Sequence, residues 1–251
     1  MNKLLPYQDS NKIELGIDEA GRGCLFGPVF IAGVILPINI QELIDKENEG
    51  KKRNDIIVIK DSKKLSKKKR MLAKEFIEKH ALFYEVIQKS NTVIDEINIL
   101  NATLEGMHDV VKKINSNTKI DKILVDGNRF RKFIDENDEI IEHECVIKGD
   151  DTYLSIACAS ILAKTYKDNY IENLVQSFTD LSKYDLVNNS GYGTQNHIDA
   201  IKKHGITQYH RKTFNICTNK KEVEEKKEKR KEARKKPSEN KIECYFTLNE
   251  S

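Results

Sequence analysis

Two adjacent carboxylates beside a glycine-rich turn are the residues of this chain best suited to chemistry. Asp18 and Glu19 stand in the stretch Gly-Ile-Asp-Glu-Ala-Gly-Arg-Gly at residues 16–23. They follow an alternating apolar pattern that predicts a strand and consists of Ile13, Leu15 and Ile17. The turn at residues 21–23 places an arginine on backbone that can approach a ligand closely. Acids beside such a turn suit a metal ion and a phosphate, although a polar strand end running into a turn is an equally good interpretation of these residues.

Two more carboxylates follow apolar, strand-like runs further along the chain. Asp126 ends the run 122–126, and Asp150 comes shortly after the run 144–148. Because ligands bind at strand ends in layered sheets, we expect all four acids to converge in one cleft. Their mutual repulsion would favour hard cations such as Mg²⁺ or Mn²⁺. Two such ions roughly 3.5–4 Å apart can promote a phosphoryl displacement; the alternative for either later acid is an ordinary turn.

Three further stretches carry groups suited to nucleic acid. Residues 61–66, Asp-Ser-Lys-Lys-Leu-Ser, place Lys63 in a loop, and the basic run 67–70 continues the patch. Tyr192 stands between two glycines, where an aromatic ring can stack on a sugar or a base. The sequence His-Arg-Lys at 210–212 predicts another local basic spot. A charge run is often only a solvated face, and that alternative stays open for residues 67–70.

Hydrophobic periodicity predicts strands alternating with helices. The first 37 residues predict two strands joined by the glycine turn, and residues 39–60 predict a polar surface insertion. Further strands are predicted at about 82–89, 122–126 and 144–148. Helices are predicted at about 67–79, from a cap at Asn91 or Thr92 through Ile114, at about 152–177, and from Thr194 to about His204. This order indicates an α/β layered fold with a mixed sheet.

Composition limits the class of protein. The net charge of +3 lies entirely in residues 219–251, which contain 11 Lys/Arg and 8 Asp/Glu and leave residues 1–218 neutral. Any nucleic-acid site must therefore be a local patch. No apolar run approaches the roughly 20 residues of a membrane span. The five scattered cysteines form no Cys-x-x-Cys pair, which favours a reducing cytoplasm over a zinc site or a disulfide framework.

The chain changes character at Asn219. Residues 220–236 are almost all Lys, Glu and Arg without an apolar face, which predicts a flexible, charged tail or a solvated helix. An apolar stretch at 242–248 follows. We expect this stretch to fold back onto the body, and the alternative is that it docks on an unidentified partner.

Several of these blocks, in the same order, resemble the type 2 ribonuclease H family and its bacterial ribonuclease HII branch. The blocks are residues 16–23, Gly-Pro-Val at 27–29, residues 61–66, Val-Asp-Gly-Asn at 125–128, Lys-Gly-Asp at 148–150, the helical segment 155–164, Gly-Tyr-Gly-Thr at 191–194 and His-Arg-Lys-Thr-Phe at 210–214. The resemblance covers about residues 13–214. Each block alone is a weak signal, but their common order is specific.

The resemblance implies a ribonuclease H-like fold, in which helices flank a mixed central sheet and a helical C-terminal extension follows. It implies a catalytic domain at 1–218 and a separate tail at 219–251. The implied enzyme is an endonuclease that cleaves the RNA strand of RNA–DNA hybrids and cleaves at ribonucleotides embedded in duplex DNA. Its products carry 3′-hydroxyl and 5′-phosphate ends. The implied setting is DNA replication and repair in the cytoplasm, with the enzyme as a monomer.

The resemblance also assigns residues by position. The metal-binding and catalytic acids would be Asp18, Glu19, Asp126 and Asp150, with Mg²⁺ or Mn²⁺ as the cofactor. Asp150 is preferred to Asp151 because it follows the matching Lys-Gly, which leaves Asp151 to cap the next helix. Gly21, Arg22 and Gly23 would recognise the 2′-hydroxyl, Tyr192 would stack on the nucleotide at the DNA side, and Lys63 would contact a phosphate.

Four residues of this chain depart from the pattern usual in the family. Cys24, Phe26 and Cys158 replace residues usual in the family and are expected to alter packing only, whereas Ser190 replaces a basic residue that usually contacts phosphate.

Ribonuclease HIII is a rival, but the few residues before the first strand leave no room for its N-terminal domain. A nucleic-acid-binding module without catalysis would not need all four acids. Another metal-dependent phosphoryl-transfer enzyme would explain the acids but not residues 21–23 together with Tyr192.

Overall fold

A computed structural model describes residues 4–218, and its centre is a six-stranded mixed sheet. The strands are β1 (Glu14–Ala20), β2 (Val29–Ile35), β3 (Phe83–Lys89), β4 (Lys122–Asp126), β5 (Phe133–Ile134) and β6 (Ile140–Val146). The helices are α1 (Ile40–Asn48), α2 (Lys67–His80), α3 (Asn91–Ile97), α4 (Ile99–Asn115), α5 (Leu154–Ser177), α6 (Leu186–Asn189) and α7 (Gln195–His204). Short 3₁₀ turns cover Ser62–Lys64, Gly149–Asp151 and Thr179–Tyr184. The alternation of strands and helices confirms the predicted α/β class.

The sheet gathers the ends of its central strands at one edge. The strand order is β3-β2-β1-β4-β6-β5. β2 is antiparallel to both β1 and β3, whereas β4 is parallel to both β1 and β6. The register pairs Ile17 with Val125 and Asp126 with Val146. Because the three parallel strands run in one direction, their carboxyl ends lie side by side.

Helices cover both faces of the sheet. α5 packs across β1 and β2 with α2 against it, and α4 packs across β2 and β3 on the other face. α5 comes so close to β1 that a β carbon on Gly16 would lie 2.4 Å from the carbonyl carbon of Ser155. Only glycine permits this approach, since any other residue would push the helix away. The acidic end of β1 therefore lies directly against α5.

The helix predicted from residue 91 through Ile114 is in fact two helices. Ser90 caps α3 by accepting a hydrogen bond from the Val93 N–H, so the predicted cap at Asn91 or Thr92 is wrong. Asn98 then interrupts the helix with a φ of 68°, and its side chain caps α4 by accepting from the Asn101 N–H. Asparagine adopts positive φ more readily than most residues. The apolar spacing continues across this break, so periodicity alone could not reveal it.

The polar segment predicted as a surface insertion contains a helix. α1 begins at Ile40, which is 1% exposed and packs in the same apolar layer as α2 and α5. Leu43 and Ile44 pack partly against that layer. Their spacing from Ile40 is helical, and this short signal is hidden among the lysine, glutamate and asparagine residues around it.

The last described part of the chain forms a third apolar layer. α7 begins after Thr194, whose side chain accepts from the His197 N–H, as the predicted helix start requires. Phe26 belongs to this layer together with Ile171 of α5, Tyr184 of the 3₁₀ turn and Ile201 of α7. No helix within residues 4–218 is long and apolar enough to cross a membrane. The tail predicted at 219–251 lies outside the described residues.

Candidate active site

The four predicted acids lie at the shared edge of the parallel strands. Asp18 and Glu19 are near the end of β1, and Asp126 is the last residue of β4. Asp150 lies in the 3₁₀ turn that follows β6. The Gly149 N–H donates to Asp126 Oδ1 at 2.7 Å, which ties this turn to the end of β4. Three strand ends thus bring together residues that are more than 100 positions apart.

Burial and mutual repulsion act on these acids in the same direction. Burial, followed by the charges of Glu19 and Asp126, holds the pKa of Asp18 well above its usual range. Burial also raises the pKa of Glu19. The pKa of Asp150 rises to about 6, first because of burial and then because of Asp126. A cation that joined these acids would relieve both effects.

The donor set suits a hard cation, but the side chains do not enclose one. Within residues 4–218, no three acidic, histidine or cysteine side chains lie close enough together to surround a metal ion. Local donors hold the carboxylates instead: Glu19 N–H donates to Asp18 Oδ1 at 2.7 Å, and Arg22 Nη1 donates to Glu19 Oε1 at 3.1 Å. Carboxylate oxygens are the ligands that Mg²⁺ and Mn²⁺ prefer. The residues therefore fit such an ion once side-chain rotation frees their oxygens.

Two buried serines, Ser62 and Ser160, lie next to each other beside Asp18. The hydroxyl of Ser160 in α5 opposes the rise in the pKa of Asp18, and its Oγ lies 3.0 Å from Ser62 Oγ. Ser62 is 2% exposed and belongs to the predicted phosphate-contact loop. The serines thus join that loop to the acidic edge. Sequence reasoning did not single out either hydroxyl.

Lys63, in the same loop, faces the acids. Although burial has the larger effect, the charge of Lys63 opposes the rise in pKa of both Glu19 and Asp150. Lys64 turns outward and binds Asp151 Oδ1 at 2.6 Å. The expectation that Asp151 caps the next helix is wrong, because α5 begins after Tyr153 and has no side-chain cap. The two neighbouring lysines therefore have different surroundings.

The basic run at residues 67–70 is largely neutralised within the chain. Lys67 binds Glu172 at 2.5 Å, Lys68 binds Asp55 at 2.9 Å, and Arg70 binds Asp168 at 3.3 Å. Lys69 donates to the backbone carbonyl of Ile56 at 2.8 Å. These contacts favour the alternative in which the run is a structural, solvated face.

The glycine turn and Tyr192 meet, although they are far apart in sequence. Gly21 has a φ of 96°, and a β carbon on Gly23 would lie 3.9 Å from Tyr192 Cε1. Cys24 forms an antiparallel bridge with Tyr192, and the Leu25 N–H donates to the Gly191 carbonyl at 2.8 Å. The Tyr192 side chain remains partly open, with 37% of the residue exposed. An exposed ring thus stands beside a turn with open backbone.

Lys167 is a residue of this site that sequence reasoning missed. It is 1% exposed, although it is a lysine in α5. Its Nζ donates to the Ser190 carbonyl at 2.7 Å and lies 4.7 Å from the centroid of the Tyr192 ring. Its stem packs against Gly21, where a β carbon would lie 2.9 Å from Lys167 Cδ. The signal available in the sequence was the pair Lys167 and Asp168, two charged residues within a helix that is largely apolar.

The predicted basic spot at 210–212 is wrong for two of its three residues. His210 and Arg211 are both 0% exposed, and only Lys212 faces solvent. Arg211 Nε donates to the Gly27 carbonyl and Nη1 donates to the Arg22 carbonyl, each at 2.9 Å. Both side chains therefore lie inside the protein, and Arg211 binds the backbone of the glycine turn.

Comparison with solved structures defines the class of fold. The crystal structure of ribonuclease H2 from Pyrococcus horikoshii aligns with a TM-score of 0.61 and 25% identity, and the match covers 86% of this chain and 99% of that chain. The mixed six-stranded sheet, its flanking helices and the helical part from α5 to α7 are the ribonuclease H-like fold with its C-terminal extension. The acidic edge described above lies on that fold.

Sequence comparison narrows the class to one family. The family model described as Ribonuclease HII matches residues 15–217. A ribonuclease HII of Bacteroides fragilis is 47% identical over 213 residues, covering 85% of this chain and 94% of the relative. One of Cytophaga hutchinsonii is 43% identical over 213 residues, with the same coverage. The chain belongs to the ribonuclease HII family and is a metal-dependent hydrolase of the ribonuclease H type.

Proposed function

We propose that this chain is an endonuclease that cleaves the RNA strand of RNA–DNA hybrids and cleaves at single ribonucleotides embedded in duplex DNA. The observation that carries this proposal is the meeting of the glycine turn with Tyr192 beside the acidic edge. A nuclease that must recognise one ribonucleotide needs groups that detect a 2′-hydroxyl close to the groups that cleave. Here, the two sets of groups are adjacent along the chain, because the turn begins two residues after Glu19 and directly after β1.

In this proposal, Asp18, Glu19, Asp126 and Asp150 hold Mg²⁺ or Mn²⁺ ions. Two bound ions would activate water and stabilise the oxygens of the phosphodiester during in-line displacement, leaving 3′-hydroxyl and 5′-phosphate ends. The raised pKa values of Asp18, Glu19 and Asp150 support this assignment, because burial and the neighbouring acids raise them by more than Arg22 and Lys63 lower them. The Ser160 hydroxyl, which opposes the rise in the pKa of Asp18, would favour the charged form of that carboxylate.

The substrate would lie across the glycine turn. Backbone groups of Gly21, Arg22 and Gly23 would inspect the 2′-hydroxyl, since Arg22 and Gly23 are exposed and the positive φ at Gly21 shapes the turn. The Tyr192 ring would stack on the adjoining nucleotide of the DNA. Lys63, which faces the acids, would bind a phosphate close to the cleaved bond.

The organisation of the whole chain forms part of the same proposal. Residues 1–218 would be the catalytic domain, acting as a monomer in the cytoplasm during replication and repair of DNA. The tail at 219–251 would be a separate charged region whose apolar stretch at 242–248 folds back onto the body, with docking on an unidentified partner as the alternative. Deleting residues 219–251 and measuring affinity for hybrid duplex at several salt concentrations would show whether the tail also contacts phosphates.

Cleavage of a duplex containing one ribonucleotide tests the proposed activity. With Mg²⁺ or Mn²⁺, we expect a single cut at the ribonucleotide and no cut in an all-DNA duplex of the same sequence. Asp150→Asn should abolish the cut, whereas Asp151→Asn should retain it, because Asp151 forms only an exposed ion pair with Lys64. An intact ribonucleotide duplex after incubation with the wild-type enzyme, or normal cleavage by Asp150→Asn, would contradict the proposal.

A further inference from the structure

Two buried histidines form a directional hydrogen-bond chain that ends on Tyr192. The Thr207 N–H donates to His210 Nδ1 at 2.9 Å, so this nitrogen carries no proton. The proton of the neutral ring is therefore on Nε2, which lies 3.2 Å from His197 Nε2. His197 must accept there and donate from Nδ1, which lies 2.9 Å from the Tyr192 carbonyl. Both histidines are 0% exposed, so water does not compete for these bonds.

The neighbouring residue in sequence reaches the glycine turn. Arg211 is 0% exposed and donates to the carbonyl oxygens of Arg22 and Gly27. The centre of its guanidinium lies 5.1 Å from the centroid of the Phe214 ring. Burying a guanidinium is costly unless its donors are used; two of its nitrogens donate to backbone carbonyls at and after the turn, and Nη2 has no partner among the described residues.

Backbone pairing brings the same segments together but does not account for these side chains. Phe26 bridges to His210 and the Arg211 N–H donates to the Leu25 carbonyl at 2.9 Å, so residues 24–27 lie between the two functional segments. A short apolar residue could satisfy that pairing equally well. The Arg211 side chain adds a bond to the Arg22 carbonyl, and the His210 side chain adds one to His197, which in turn bonds to the Tyr192 carbonyl.

We propose that the consecutive residues His210 and Arg211 are positioning residues for ribonucleotide recognition. Arg211 holds the carbonyl of Arg22, and His210 acts through His197 to hold the carbonyl of Tyr192. One rigid segment thus sets the spacing between the turn that inspects the 2′-hydroxyl and the ring that stacks beside it. This inference rests on the proposed function, because it assumes that the turn and Tyr192 read the ribonucleotide.

The test compares binding of two duplexes that differ by one 2′-hydroxyl. Affinities for a duplex with a single ribonucleotide and for its all-DNA counterpart are measured with Ca²⁺ in place of Mg²⁺, and intact substrate is verified on a gel. The variants are His210→Leu, which removes the donor, His210→Gln, which retains a donor near the Nε2 position, and Arg211→Lys, which retains the charge without the fork. The control is Tyr184→Phe, because Tyr184 packs against both histidines but its hydroxyl donates to the Gly205 carbonyl.

We expect His210→Leu and Arg211→Lys to reduce the ribonucleotide preference about tenfold, as the loss of a buried hydrogen bond predicts. His210→Gln should recover part of the preference, and Tyr184→Phe should retain it even if its melting temperature falls. Folded His210→Leu and Arg211→Lys proteins with wild-type preference would overturn the inference. An equal loss in Tyr184→Phe would also overturn it, since the cluster would then be merely structural.

A second measurement needs no variant. Long-range proton–nitrogen NMR of the wild-type protein should show His210 protonated on Nε2 and His197 protonated on Nδ1, and the reverse pattern would refute the chain. A wild-type protein without any ribonucleotide preference would instead contradict the proposed function, and the inference would fall with it. A wild-type preference that survives in the variants would contradict the positioning role alone.

Discussion

Replacing Lys167 by methionine should loosen Tyr192 while leaving the fold intact. The buried ammonium donates to the Ser190 carbonyl at 2.7 Å and lies 4.7 Å from the Tyr192 ring centroid. Methionine retains much of the apolar stem that packs against Gly21. Asp168 keeps Lys164 at 2.8 Å and Arg70 at 3.3 Å, so the substitution does not leave a buried acid unpaired.

The magnitude follows from three lost contacts and one gain, since Lys167 also loses its ion pair with Asp168 at 3.3 Å, which the other two partners of Asp168 partly replace. A cation over a partly exposed ring contributes about 1 kcal/mol, and a hydrogen bond from a charged donor contributes about 1.5–3 kcal/mol. Against these, removing the ammonium removes the desolvation cost that lowers the pKa of Lys167. We therefore expect the free energy of unfolding to change by less than about 2 kcal/mol. We expect kcat/KM on an embedded ribonucleotide to fall about 5- to 30-fold, which corresponds to about 1–2 kcal/mol of transition-state stabilisation.

Steady-state cleavage of a single-ribonucleotide duplex, with urea unfolding measured in parallel, provides the assay. Lys167→Arg is the matched control, because it restores a cation that can reach the Ser190 carbonyl and the ring. Wild-type kcat/KM in Lys167→Met would refute the argument that Lys167 orients Tyr192. A loss of more than about 4 kcal/mol in the free energy of unfolding would contradict the expected small change, since it would show that the buried ammonium stabilises the fold overall.

Three further changes test the fold and the site. Gly16→Ala should lower the free energy of unfolding by about 3 kcal/mol or more in urea titration, because its β carbon would lie 2.4 Å from Ser155 backbone; a stable variant would contradict the close approach of α5. Ser160→Ala should weaken Mn²⁺ binding, measured by electron paramagnetic resonance, several-fold, because the Ser160 hydroxyl favours the charged form of Asp18, and Ser160→Thr should restore it. Burial, and then His197, lowers the pKa of His210 to about 4, so the unfolded chain takes up a proton first and the contribution of His210 to stability should fall by about 3 kcal/mol between pH 6.5 and 4. His210→Gln should flatten that slope, and an unchanged slope would exclude His210 as its source.

Local patterns were sufficient for most elements but not for their ends. α2 was predicted within one residue, because Ser66 caps it and apolar positions at Ala73, Phe76 and Ile77 bury one face. The break at Asn98 escaped prediction, because a positive φ at one residue does not change hydrophobic spacing. β5 escaped as well, since two residues at the edge of a sheet carry almost no periodic signal.

The sequence by itself determined which groups could do the chemistry and where they stand on the chain. Asp18, Glu19, Asp126 and Asp150 were recognisable because each follows a strand-like run, and the order of the blocks pointed to the family. Strand ends and glycine turns are local properties, so local sequence encodes them. Their assignment as metal ligands stays a prediction for the assays above.

Only the tertiary structure decided which residues serve those groups. Lys167, His210 and Arg211 are charged or titratable side chains that a sequence places on the surface by default. The fold buries them because parallel strands, a close helix and the segment 24–27 bring Tyr192 and the glycine turn together around them. Such burial depends on contacts across more than 100 residues of chain, and no local pattern of residues carries that information.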